Sequence, residues 1–117
     1  MPKFPKIKPV PVEVEVEHWG GEKVHILPLT GAQVDEIEKL DAEADDEDSN
    51  LTHSAIARAT VAQHLVDDDG GPHFDYDDKE SREELLSLPH DGLLEVYSYI
   101  RNPFLRKRAK VESAKGN

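Results

Sequence analysis

Apolar and polar residues alternate strictly at Val12, Glu13, Val14, Glu15 and Val16. A period of two places the three valines on one face of a half-buried strand. His18-Trp19-Gly20-Gly21-Glu22 supplies a turn, and Lys23 to Leu27 reads as the returning strand, so residues 12–27 are predicted to form a β-hairpin. A lone hairpin is marginal in water, so its valine face must pack on helices. From Thr30 the period changes to that of a helix. Thr30 and Gln33 fit a capping box, Leu29 and Val34 a hydrophobic staple, and Val34, Ile37, Leu40 and Ala44 mark one face. The helix then enters the acidic run Asp41 to Asp48, where like charges predict fraying into an acidic loop.

Ser49 and Asn50 offer caps for a second helix over roughly residues 51–66. Its apolar stripe is Ala55, Ala59, Ala62 and Val66, widened by Ile56 and Leu65, with Arg58 and His64 off that face. Asp69-Gly70-Gly71-Pro72 stops it, because Gly costs backbone entropy and Pro lacks an N–H. Phe74 and Tyr76 alternate with aspartates, predicting a short extended piece or tight loop that returns Phe74 to the core. Leu65 and Val66 are expected to be buried, and residues 67–71 exposed. Asp77 or Asp78 can cap a third helix through Ser81 to Leu86. Pro89 suits the first turn of a fourth, over about residues 88–101, with Leu93, Val96, Tyr97 and Ile100 inward. Asn102-Pro103 ends it, and Phe104 and Leu105 extend the core slightly. The fold class expected is α+β, mainly α: an N-terminal hairpin followed by about four helices.

Length changes this picture little, since 117 residues make one domain. Residues 12–104 hold the patterned sequence. Residues 1–11, with Pro2, Pro5, Pro9 and Pro11, read as a flexible arm, and residues 105–117 as a disordered basic tail. Cysteine is absent, which excludes disulfide and thiolate chemistry, and no apolar run approaches transmembrane length. The chain therefore reads as cytosolic, with no membrane partner. Formal net charge is −11, which argues against a general nucleic-acid binder. The sign is uneven: Lys3, Lys6 and Lys8 open the chain, and a basic run from Arg101 to Lys115 closes it. That layout suits an electrostatically steered protein partner as well as it suits plain solubility.

Candidate chemistry is sparse. The chain carries no phosphate loop, dinucleotide fingerprint, zinc spacing or nucleophile elbow. His18 and His25 would ligate a metal only if a third ligand converged. A calcium loop is rejected at residues 41–52, which lack the glycine, and at Asp67 to Gly71, whose acids are consecutive. No catalytic, cofactor-binding or metal site is predicted, and a binding or assembly role is favoured over an enzymatic one. Trp19, Tyr97, Tyr99 and Phe104 are the candidate partner-binding residues.

Four features in order resemble the small tail assembly chaperones of long-tailed (siphovirus-type) bacteriophages. They are a strand leading into Leu29-Thr30-Gly31-Ala32-Gln33-Val34-Asp35-Glu36-Ile37; an alanine-rich helix ending in Val66-Asp67-Asp68-Asp69-Gly70; Phe74 before an acidic helix start; and Leu88-Pro89 with a final helix ending at Arg101-Asn102-Pro103. The acidic insert at residues 41–50 and the proline-rich arm lie outside that pattern. The resemblance implies a non-enzymatic protein that binds the long helical tape measure protein, keeps it soluble and helps recruit tail tube subunits. It also implies a frameshifted longer form that contacts the tail tube protein, a host-cytoplasmic location and absence from the mature virion; coating a long client would take many copies, so self-association into a homo-oligomer is expected. Two alternatives stand beside it: an acidic phage adaptor or nucleic-acid mimic that binds a basic host protein, and a small hydrolase or metal protein whose site leaves no motif in the sequence.

Overall fold

The computed structural model describes residues 4–105. The expectation of a disordered tail therefore lies, beyond Leu105, outside the described residues. Residues 4–11 form neither helix nor strand. The hairpin follows, with β1 at Val12–Val16 and β2 at Glu22–Ile26, joined through a 3₁₀ turn at Glu17–Trp19. Gly20 and Gly21 close that turn at φ of 71° and 81°, a left-handed backbone that only glycine adopts without cost. The strands are antiparallel, with Val12 opposite Ile26, Val14 opposite Val24 and Val16 opposite Glu22. Period-two sorting holds, since Val14, Val16 and Ile26 are buried.

Helix α1 spans Gly31–Ala44 and begins in the expected capping box. Gln33 N donates to Thr30 Oγ1 at 3.3 Å, and Thr30 N donates to Gln33 Oε1 at 2.9 Å. It ends at Ala44, where the acidic run takes over as turns. Helix α2 spans His53–His64 and is capped by Thr52, whose hydroxyl accepts from Ala55 N at 3.0 Å. The expected caps were Ser49 and Asn50; Ser49 Oγ instead accepts from Leu51 N at 3.1 Å and shapes the connector.

The C-terminal end of α2 departs from expectation. Leu65–Val66 is not helix but a two-residue strand, β3, pairing antiparallel with His25 and Ile26 and completing a sheet of order β1-β2-β3. The reason is a contact with a segment distant in sequence. His64 O accepts from Leu27 N at 2.8 Å, and the His64 ring bonds Leu27 O at 2.8 Å, so both backbone groups of Leu27 are satisfied by one residue at the helix end. His64 is consequently only 3% exposed, which corrects its expected place off the apolar face. Arg58, also expected outside, is half-buried, with its Nε enclosed and without a partner among the described residues.

Helix α3 spans Lys79–Leu86, with Asp78 as its cap, and α4 spans His90–Arg101. Leu93, Val96 and Ile100 of α4 meet Val61 and Ala62 of α2 and the valines of β1 in one core, closed by Leu65 and Leu85. Leu65 and Val66 are buried as expected, and Phe74 is half-buried against that core. Phe104 does not extend it: the ring is 81% exposed, because Asn102-Pro103 turns the chain away after α4. No helix among the described residues is long and apolar enough to cross a membrane.

Candidate functional site

Helices α1 and α2 are packed so that the start of α1 lies beside the end of α2. Leu29, Gln33, Glu36, Ile37 and Leu40 face Leu51, Ala55, Ile56, Ala59 and His64 across a groove of about 410 Å³ that Tyr76 also lines. The walls are mostly aliphatic. Ala55 and Ala59 were expected in the core; they are half-exposed and line this groove, while Ala57 and Val61 are buried in their stead. Both faces of α2 are in use, one toward α4 and the sheet, the other toward α1. A single apolar stripe does not resolve two such faces, and small side chains here keep the groove open.

Next to Leu40 and Leu51 a charged clasp ties the end of α1 to the start of α2. His53 Nδ1 lies 3.0 Å from Asp41 Oδ1, and His53 Nε2 lies 2.8 Å from Asp45 Oδ1. A ring that donates from both nitrogens is imidazolium. Accordingly the hydrogen bonds to Asp45 and then Asp41 raise the pKa of His53. Asp41 also accepts from Arg101 of α4 at 3.2 Å, and Arg101 donates to Tyr97 OH at 3.0 Å. Three helices are tied together there. His53 had no periodic or motif signal in the sequence, and its partners are distant enough that only the fold reveals them.

The candidate residues do not converge. Tyr97 belongs to that clasp. Tyr99, on another face of α4, donates to Glu95 Oε2 at 2.7 Å. Glu95 also accepts from Glu17 N and His18 N, both at 2.9 Å, and bonds His18 Nδ1 at 2.7 Å, so it caps the 3₁₀ turn with a fixed carboxylate. Burial pushes the Glu95 pKa up, but the bonds from His18, Tyr99 and Glu17 outweigh it and the net shift is down. His18 is raised in return, chiefly by its bond to Glu95. Trp19 is half-buried: Nε1 donates to Pro89 O at 3.1 Å and the indole covers Gly92, where any Cβ would fall inside the ring. Phe104 stands alone in solvent. Substituting Trp19 or Tyr99 therefore perturbs packing as well as any partner.

Trp19 also forms one wall of a second, wider groove of about 600 Å³ with Val24, Leu65, Phe74, Leu88 and Pro89, bordered by Glu22, His73 and Glu84. Metal ligation by His18 and His25 is not supported by the geometry, since His18 pairs with Glu95 and His25 Nε2 lies 3.9 Å from Glu13. Among the described residues the acids that come together are Asp67, Asp68 and Asp69. There Asp67 Oδ1 accepts from Asp69 N and Gly71 N, each at 2.9 Å, so that carboxylate folds the turn; the Gly71 bond leads the causes that lower its pKa. No family model, curated protein or solved structure matches this chain.

Proposed function

We propose that this protein is a bacteriophage tail assembly chaperone that holds an amphipathic segment of the tape measure protein in the groove between α1 and α2. The observation that carries the reading is that groove: an aliphatic trough of about 410 Å³ between two helices, left open at the surface of an acidic protein. A client that is helical and apolar on one face lays that face into such a trough at spacings of three and four residues. The acidic surroundings keep the loaded complex soluble and steer a basic client. Helping to recruit the tail tube protein, through a frameshifted longer form, belongs to the same proposal and rests on the family resemblance alone.

The test is co-expression. The tape measure protein, insoluble alone, is expected in the soluble fraction with this partner, and the complex is expected to persist in 1 M salt. Screening shortens the reach of exposed charges from about 10 Å at 0.1 M to about 3 Å at 1 M but leaves apolar burial intact. Leu40→Ser with Leu51→Ser is expected to abolish rescue without unfolding the domain, since both side chains are only half-buried. Removing the charges of Asp45, Asp46, Glu47 and Asp48 slows association and spares most of the affinity. A complex that dissolves at moderate salt and ignores the leucine changes would overturn the chaperone reading in favour of an acidic adaptor that binds a basic host protein.

A further inference from the structure

Residues Phe4 to Pro11 leave three large apolar side chains in water: Phe4 is 82% exposed, Ile7 76% and Val10 70%. They are three residues apart. Pro5, Pro9 and Pro11 hold φ near −65°, and each also restricts the residue before it, Phe4, Lys8 and Val10, to extended backbone. Only Lys6 and Ile7 escape both constraints. A chain so restricted favours the polyproline II helix, which has three residues per turn. On that helix Phe4, Ile7 and Val10 form one apolar ridge about 19 Å long at ~3.1 Å per residue, and Lys6 and Lys8 lie on the other two edges.

The Trp19–Phe74 groove has the chemistry that receives such a ridge. Aromatic-lined grooves dock proline-rich segments because the ligand is already extended and loses little entropy. Here Trp19 and Phe74 stand over Val24, Leu65, Leu88 and Pro89, and Glu22 and Glu84 on the border meet the two lysines with opposite charge. Lysine and arginine gather at the two ends of the chain, and of the two the arm is the one with large apolar residues at every third position. Between residues 12 and 105 the bases are Lys23, Lys39, Arg58, Lys79, Arg82 and Arg101, against acids throughout. The arm is therefore a basic ligand carried by an acidic body. In the folded chain it lies exposed rather than in its own groove.

We propose that the Phe4–Pro11 arm of one copy docks in the Trp19–Phe74 groove of a second copy, and that reciprocal exchange closes a two-fold dimer. Such an interface is self-complementary, each copy giving an arm and receiving one. It leaves the α1–α2 groove free.

The chain contains a single tryptophan, so Trp19 emission reports the groove directly. Sedimentation of the full chain is expected to give a dimer at micromolar concentration, with a blue-shifted Trp19 relative to dilute monomer. Phe4→Ser, Ile7→Ser and Val10→Ser combined touch no buried contact and are expected to weaken dimerisation at least tenfold. Reversing the arm (Lys6→Glu with Lys8→Glu) or the groove (Glu22→Lys with Glu84→Lys) is expected to give monomers, and an equal mixture of the two is expected to restore a dimer containing one of each. A full chain that stays monomeric overturns the proposal. So does a dimer indifferent to the serine changes, or a mixture that remains monomeric while each variant is folded by circular dichroism; that last result shows that arm and groove do not pair between copies.

Discussion

Three histidines in this protein are set apart by what faces their ring nitrogens. His18 and His53 lie against carboxylates and have raised pKa values, whereas burial lowers His64 despite its bond to the Leu27 carbonyl. The consequences for stability have opposite signs. The contributions of His18 and His53 are complete below the unfolded value of about 6.5 and fade as pH rises through their higher folded values. For His64 the unfolded chain takes up a proton first, so stability falls as pH drops from about 6.5 through the lower folded value. An NMR titration is expected to place the His18 and His53 midpoints above 6.5 and that of His64 below; the reverse order would show that the carboxylate pairs do not form in solution. At the same scale, Gly92 is where the Trp19 indole closes on α4. Gly92→Ala overfills that space and is expected to cost about 1–3 kcal/mol, with a red-shifted Trp19 emission.

The starts of α1 and α3 and the hairpin were legible because their signals are local. The Thr30 box, the Asp78 cap and the VEVEV alternation each need only a few neighbouring residues, and all three stand in the structure. Thr30→Ala is accordingly expected to lower stability by about 1 kcal/mol, measured by urea melting. The switch from α2 to β3 was not legible. Leu65 and Val66 satisfy a helical period as well as a strand, and what decides between them is an edge of β2 some forty residues earlier in sequence. The same limit hid the groove: Ala55 and Ala59 look like core until a second helix is known to cross α2 beside them. Phe74 was read correctly as returning to the core, yet it is half-buried rather than enclosed. Phe74→Ala should then cost about 2 kcal/mol, below the ~3–5 kcal/mol typical of a fully buried ring.

On the scale of the whole molecule, the net charge of −11 is carried on a small body with few compensating bases, so self-repulsion opposes compaction. Thermal melts are expected to shift upward between about 0.01 M and 0.15 M salt as the Debye length falls from about 30 Å to about 8 Å. A shift in the other direction would mean that the clasp at His53, Asp41 and Arg101 outweighs the repulsion. The sheet edge bears on a different property. β1 has a strand on one side only, and unpaired strand edges template aggregation. Here the edge is five residues long, is preceded by Pro11, which has no N–H to lend, and presents Glu13 and Glu15 on the face opposite the core. Copies brought side by side along that edge would stack carboxylate on carboxylate. Replacing both glutamates by valine would leave the fold's pattern of buried valines intact and remove the charge that keeps such copies apart, and the double variant is expected to nucleate thioflavin-positive fibres under conditions where the parent chain does not.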